Sequence, residues 1–285
     1  MIPVAFDYAR PTSLDEALGL LANDGGTTKV IAGGQSILPL MKLRLARPAR
    51  LIDIGRLAEL RGVRRIEGDR LAIGALTTYD ELLRDPNIVH GLLRDALPGI
   101  GDVQVRNRGT IGGAIAHADP ASDMPAILLA LEADVVVRSS KGERVIPITT
   151  FFNGPFTTAL GADEILVEVR FLAGRDNYGS AYRSIEQPAS GYSLAGAAVI
   201  VGRKDRGSGP LDDVRIALTG VADTPYRATA AEKAFLSSGK PADAGAHATD
   251  GVTVASDIHA DAEFRAAVAA VQVRRALEAA IARAE

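Results

Sequence analysis

Two glycine pairs hold most of the chemistry this sequence can offer. Gly33-Gly34 follows the apolar run Lys29-Val-Ile-Ala32 and leads into Gln35 and Ser36, while Gly112-Gly113 closes the segment Gly109-Thr-Ile-Gly-Gly113. A glycine pair after a strand lets the backbone approach a ligand closely, and successive outward-turned amides make a nest for an anion such as a pyrophosphate. Ser36 and Thr110 each add a hydroxyl that can bond a phosphate oxygen. Glycine also builds ordinary turns, so in a chain with 29 glycines either loop alone is compatible with a purely structural role. Neither loop contains G-x-G-x-x-G. Ser36 and Thr110 stand 74 positions apart, and two such loops brought together by one fold suit a dinucleotide diphosphate better than a mononucleotide.

Downstream of the second loop lies His117-Ala-Asp119-Pro-Ala-Ser-Asp123. His117, Asp119 and Asp123 lack the further ligands a metal needs, so a loop-stabilising role is favoured over metal binding. Asp123 is placed to cap a helix beginning at Met124 and equally to accept a hydrogen bond from a ribose or an adenine. Arg106 and Arg108, at the entry to the second loop, could offset pyrophosphate charge, although a surface role is the commoner one for arginine. On spacing alone, Tyr192, after the turn Gln187-Pro-Ala-Ser-Gly191, reads as a partly buried sheet residue with its hydroxyl bonded locally. Nucleophile elbows, H-E-x-x-H, a catalytic cysteine and a convincing carboxylate pair are all missing, which leaves the chemistry to a cofactor.

The elements that must position these residues follow from periodicity and end signals. Ser13-Leu-Asp-Glu16 has the form of a capping box and opens a helix bearing Leu14, Ala17, Leu18 and Leu21 on one face, stopped by Asn23–Gly26. Lys29–Ala32 and Leu51–Ile54 read as short strands, Val63–Ile66 with Leu71–Ile73 as a hairpin, and Thr78–Glu81 as a second capping box. Ile88–Ile100 is helical in period, and Pro125 is tolerated in the first turn of a helix from Met124 to Leu131. Val135–Val137 and Arg144–Ile146 form a further hairpin, followed by a strand at Ile165–Phe171. A domain boundary is expected at Gly174–Asn177, giving domains 1–175 and 176–285. Beyond it, strands at Tyr178–Arg183, Ala195–Val201 and Val214–Leu218 precede helices at Thr229–Leu236 and Asp261–Ala284. Strands before helices point to an antiparallel α+β layer, and the first half lacks the regular βαβ alternation of a Rossmann domain.

Composition narrows the partners. The 285 residues carry 32 basic and 35 acidic side chains, a net charge of −3, so no basic footprint for nucleic acid or an anionic membrane is expected. Met1–Tyr8 lacks the build of a signal peptide and no apolar run approaches a membrane span, so a cytoplasmic protein without a membrane anchor is expected. Cysteine is absent, which excludes thiolate chemistry and any cysteine-ligated iron–sulfur cluster within these residues.

Ala32-Gly-Gly-Gln-Ser-Ile-Leu-Pro-Leu-Met-Lys-Leu-Arg-Leu45, taken with Thr110-Ile-Gly-Gly113 and Ala116-His-Ala-Asp-Pro-Ala-Ser-Asp123, resembles the FAD-binding middle subunit of the molybdenum hydroxylases, the group of aerobic carbon monoxide dehydrogenase and xanthine dehydrogenase. The resemblance spans nearly the whole chain. It implies an α+β fold, a PCMH-type FAD-binding domain of two α/β subdomains (the type shared with vanillyl-alcohol oxidase) followed by a C-terminal antiparallel sheet with helices. It further implies that Ala32, Gly33, Gly34, Gln35 and Ser36, with Thr110, Ile111, Gly112, Gly113 and Ala114, hold the FAD diphosphate, that Asp123 contacts the adenosine side and that Tyr192 lies near the flavin ring. Gln35 stands where the carbon monoxide enzyme carries histidine, so the resemblance implies FAD rather than a particular substrate. Its partners would be a large molybdenum-pterin subunit and a small subunit with two [2Fe-2S] clusters, assembled as a dimer of heterotrimers, with no catalytic side chain in this chain. A self-contained flavin oxidoreductase of the same fold and a non-catalytic nucleotide-binding module stay open as alternatives.

Overall fold

A computed structural model of the protein describes residues 2–22, 26–174, 177–203 and 211–284. Asn23, Asp24 and Gly25 of the expected helix stop, and Arg175 and Asp176 of the expected boundary, lie outside the described residues.

The first layer is small. β1 (Asp7–Ala9), α1 (Leu14–Ala22), β2 (Thr28–Ile31), α2 (Ile37–Lys42) and β3 (Arg50–Asp53) form a three-stranded parallel sheet in the order β1-β3-β2 with its helices. The apolar stripe of α1 packs with Ile52 and Ile54 in one core cluster. Ser13 Oγ accepts the Glu16 amide at 3.2 Å as a capping box requires, but the Glu16 carboxylate accepts from the Thr12 amide at 2.7 Å, one residue earlier than the pattern predicts.

The second layer is built on β4 (Val63–Ile66) and β5 (Arg70–Gly74), followed by α3 (Tyr79–Arg84), α4 (Gly91–Ala96), α5 (Val103–Arg106), α6 (Ile111–His117) and α7 (Asp123–Ala130). The chain then adds β6 (Asp134–Ser139), β7 (Gly142–Pro147), the short pair β8 (Phe152–Gly154) and β9 (Thr157–Thr158), and β10 (Ile165–Leu172). Five strands pair antiparallel in the order β4-β5-β10-β6-β7. The second capping box forms in full, with the Glu81 amide on Thr78 Oγ1 and the Thr78 amide on Glu81.

The third layer is the antiparallel sheet expected from the order of elements: β11 (Tyr178–Glu186), β12 (Ser193–Gly202), β13 (Asp213–Thr219) and β14 (Tyr226–Arg227), with α8 (Thr229–Ser238), α9 (Pro241–Ala246) and α10 (Ala262–Arg283). α7 packs on β12 and β13 and α10 on β11 and β12. Covered on both faces, β12 is an apolar run without alternation, and all but one of its residues are buried. α7 is buried from Met124 through Ala130 for the same reason.

One contact closes the third layer on itself and a second seals it to the rest. A Cβ at Gly179 would overlap the Ala280 carbonyl, so β11 and α10 approach to a separation that only glycine permits. Asp95 on α4 accepts the Tyr182 amide at 3.1 Å, Arg183 at 2.7 Å, and both Arg283 nitrogens at 2.8 and 2.9 Å. Burial raises the Asp95 carboxyl, but the bonds from Arg283, the Tyr182 amide and Arg183 outweigh it and hold the pKa below the ordinary range. The stability this contributes is therefore complete above the ordinary aspartate pKa and is lost as pH falls through the lowered one. Gly179→Val is expected to destabilise the protein by about 3 kcal/mol through overpacking against a backbone oxygen, and Asp95→Asn by about 2 kcal/mol through loss of charge-assisted bonds. Both are read as a lowered urea midpoint, and an unchanged midpoint for either would refute the corresponding contact.

Candidate functional site

The first glycine loop is held where its amides remain uncommitted. β2 ends at Ile31, Gly34 adopts φ +81°, and the chain enters α2 with Ser36 at the N-cap. Ser36 makes no side-chain capping bond. Among the described residues, the amides of Gly33, Gly34, Gln35 and Ser36 donate to no backbone carbonyl. Four successive free amides and an unused hydroxyl at a strand-to-helix turn form an anion cradle.

The second loop is a different object. The segment from Thr110 opens α6, and Thr110 Oγ1 accepts the Gly113 amide at 3.1 Å. The Ile111 amide bonds the Thr77 carbonyl at 3.1 Å and the Gly112 amide the Ala75 carbonyl at 2.9 Å. The expected open nest is thus corrected at Ile111, Gly112 and Gly113, because the fold spends their amides on seating the helix. Gly112 is glycine for packing, since a Cβ there would lie 2.7 Å from the Ala75 oxygen. A Cβ at Gly113 would stand 2.7 Å from Thr110 Oγ1 and 4.0 Å from the Ala32 methyl of the first loop. The two segments touch directly at Gly33, where a Cβ would overlap the Arg108 carbonyl. Between them lies a cavity of about 180 Å³, lined by Ala32, Gly33, Leu76, Thr78, Arg108 and Thr110 among others. That volume encloses part of a dinucleotide and leaves the remainder in the open groove. Of the two entry arginines, Arg106 donates to the Ile100 and Gly101 carbonyls, while Arg108 is exposed at the cavity.

The segment from Asp119 to Asp123 is clamped by the third layer. The Ser193 amide bonds the Ala121 carbonyl at 3.2 Å, the Gly220 amide bonds Pro120 at 2.8 Å, and Thr219 Oγ1 bonds both the Pro120 and Ser122 carbonyls. Buried Arg265 backs this clamp by donating to the Leu194 and Gly220 carbonyls and to Asp257. The cap assigned to Asp123 belongs to Ser122, which leaves Asp123 as the first residue of α7 and frees its carboxylate. Asp123 Oδ1 accepts from Ser193 Oγ at 2.6 Å and from the Tyr182 hydroxyl. Its Oδ2 has no hydrogen-bond partner among the described residues, and the residue is half-buried, so one acceptor is left over. Burial pushes this carboxyl above its ordinary pKa, against the pull of the Ser193 and Tyr182 bonds.

Tyr192 is 46% exposed next to this segment. Burial and the nearby Asp119 raise its hydroxyl pKa, so the ring is neutral and free to lie against a planar ligand. His117 packs its ring at 5.1 Å from Phe156, with burial lowering its pKa. Tyr182, Ser193, Thr219 and Arg265 were not singled out by the sequence reading. Only Arg265 left a signal, as an arginine in register with the small apolar stripe Ala269, Val273, Ala276 and Ala280 of a helix. A larger cavity of about 610 Å³ lies elsewhere between the layers, but its Arg283 and Arg215 are committed to Asp95 and Asp213, which makes it a seam rather than a ligand site.

Residues 4–171 match a family described as the FAD binding domain in molybdopterin dehydrogenase, and residues 180–280 match the CO dehydrogenase flavoprotein C-terminal domain. The chain is 42% identical over 290 residues to the carbon monoxide dehydrogenase medium chain of Hydrogenophaga pseudoflava, covering 99% of both. It is 37% identical to caffeine dehydrogenase subunit beta of Pseudomonas sp. strain CBB1, covering 97% of this chain and 95% of the other. The solved carbon monoxide dehydrogenase from Hydrogenophaga pseudoflava that lacks the Mo-pyranopterin moiety superposes with a TM-score of 0.93 over 99% of each chain.

Gly33→Ala is expected to abolish flavin uptake, read as loss of visible absorbance in the purified protein, because the first loop cannot then seat on Arg108. Protonating Asp123 removes an acceptor, so flavin retention should fall on acidification at a pH above the ordinary carboxylate range. Asp123→Asn keeps an oxygen for Tyr182 and Ser193 and should flatten that step in a fluorescence release assay. A profile indifferent to this substitution would remove Asp123 from the site.

Proposed function

Because this chain belongs to the family of FAD-binding subunits of molybdopterin dehydrogenases, we propose that it is the flavin-bearing medium subunit of a molybdenum hydroxylase complex, relaying electrons from partner [2Fe-2S] clusters to an external acceptor. The observation that carries this reading is the free-amide cradle at Gly33–Ser36, facing the Thr110 segment across a shared cavity. Bound FAD would supply the electron exchange, in single electrons or pairs, that no side chain of this chain can perform.

The chain's own residues bind and orient. The amides of Gly33, Gly34, Gln35 and Ser36 and the Ser36 hydroxyl would take the diphosphate oxygens, with Ala32 completing the turn. Thr110, Ile111, Gly112, Gly113 and Ala114 would form the opposing wall, where the bare Gly113 backbone allows close approach and the Thr110 hydroxyl retains a proton to donate. Asp123 Oδ2 would accept from a ribose hydroxyl or an adenine amino group. Tyr192 would cover the flavin ring and limit water at its face.

The partners follow from the same reading: a large molybdenum-pterin subunit that oxidises the substrate and a small iron–sulfur subunit, arranged as a dimer of heterotrimers in the cytoplasm. With no cysteine in this chain, cysteine-ligated clusters belong to another polypeptide. No helix among the described residues is long and apolar enough to cross a membrane.

Purified alone, the chain is expected to be yellow or to become yellow with added FAD, and its flavin should stay oxidised when candidate substrates are added without partners. Substrate-dependent bleaching of the flavin in the isolated chain would favour a self-contained oxidoreductase, and a colourless protein that takes up no FAD would sink the flavin reading altogether.

A further inference from the structure

Beyond the cofactor groove, α2 and the turn after it present a surface that the cofactor reading leaves unused. Leu38, Leu43 and Leu45 are exposed, the last two by 55% and 74%. Across the first loop, Gln35 Nε2 lies 3.5 Å from the Gln104 carbonyl, which brings α5 alongside with Val103 62% exposed. Four bulky apolar side chains therefore frame the outside of the strand–loop–helix that forms the anion cradle.

Cations rim this apolar centre. Between Asp24 and Asp53 the sequence carries Lys29, Lys42, Arg44, Arg47 and Arg50 and no carboxylate, in a chain whose net charge is −3. Lys42, Arg44 and Arg47 are exposed, as is Arg108 on the segment opposite the first loop, and among the described residues none of the four meets a carboxylate. Arg44 adopts φ +62°, which turns the chain so that Leu43 and Leu45 flank it, and its carbonyl accepts Arg47 Nε at 3.2 Å. Lys42, Arg44 and Arg47 lie in or beyond the last turn of α2, about 9 Å along the helix from the cradle, too far out to be explained by a diphosphate seated there, whereas Arg108 lines the cavity itself.

An apolar centre with a charged rim is the anatomy of a protein interface, and the sign of the rim selects the partner. A [2Fe-2S] cluster held by four thiolates carries two ferric ions, two sulfides and four thiolate charges, a net charge of about −2 that grows on reduction. The surface also adjoins the loop proposed to hold the diphosphate of the flavin cofactor. We propose that Leu38, Leu43, Leu45 and Val103, rimmed by Lys42, Arg44, Arg47 and Arg108, form the docking surface for the iron–sulfur subunit. This rests on the electron-relay reading above and adds the face through which electrons arrive.

The test uses the assembled complex, purified through a tag on this chain, with iron, acid-labile sulfide and flavin measured per chain. In Leu45→Glu and in Arg44→Glu, iron and sulfide per flavin should fall at least tenfold while flavin per chain is unchanged. Leu236→Glu, at a leucine 48% exposed on α8, should keep its iron. Arg44→Glu alters only a surface side chain, so it carries the test alone if the leucine variant does not fold. Iron retained by Arg44→Glu, or loss of the large subunit with iron retained, would overturn the assignment of this surface. A wild-type complex that is yellow but iron-free would instead overturn the electron-relay reading itself, and this surface with it.

Discussion

The cleft exists because one carbon atom is missing. With no Cβ at Gly33, the strand-to-helix turn of the first layer lies directly on the Arg108 carbonyl of the second. Any other residue would force the two backbones apart, and the cavity between Ala32 and Thr110 would open into a surface dent. Close approach then divides the labour between the two loops. The turn keeps its amides free because it is irregular, whereas the helix start opposite spends its own on Thr77 and Ala75 and so becomes a rigid wall. One side offers donors and the other offers shape.

The third layer contributes no part of that cradle, yet the rest of the groove depends on it. Thr219, Ser193 and Gly220 hold the backbone from Pro120 to Ser122, and buried Arg265 ties the ends of β12 and β13 together behind them. A buried guanidinium is costly unless its donors are placed; here the Leu194 and Gly220 carbonyls and Asp257 receive the two terminal nitrogens, while Nε is buried without a partner among the described residues. Asp95 performs the same service at the far seam. The groove is thus a property of all three layers, although only the first provides free amides.

Much of this was legible in the residues, and what was not has physical causes. Helices with clear stripes, such as α1 and α10, and strands with continuous apolar runs, such as β12, stood out because burial dictates their periods. α6 was read as a loop because Gly112 and Gly113 in a first turn each cost about 1 kcal/mol of helix propensity; the Thr110 cap and the tight seat on Ala75 override that cost. α2 was hidden by Pro39, which is tolerated because it falls in the first turn. The role of Asp123 was half legible: an acid at a helix start reads as a cap, but Ser122 takes that position and the carboxylate answers instead to Tyr182 and Ser193, some 60 to 70 residues away. Such partners are invisible to local pattern, since only the packing of β11 and β12 on α7 brings them together.

The two hydroxyls on Asp123 have a thermodynamic consequence. They come from the third layer, while the carboxylate heads a helix of the second, so any molecule that bonds the remaining oxygen is bound by both layers at once. Ligand occupancy and the docking of the layers then share one equilibrium, and saturation by a ligand at a hundred times its dissociation constant adds about 2.7 kcal/mol to the cohesion of the whole. The cofactor, on this account, is also the last structural element of the protein to be added.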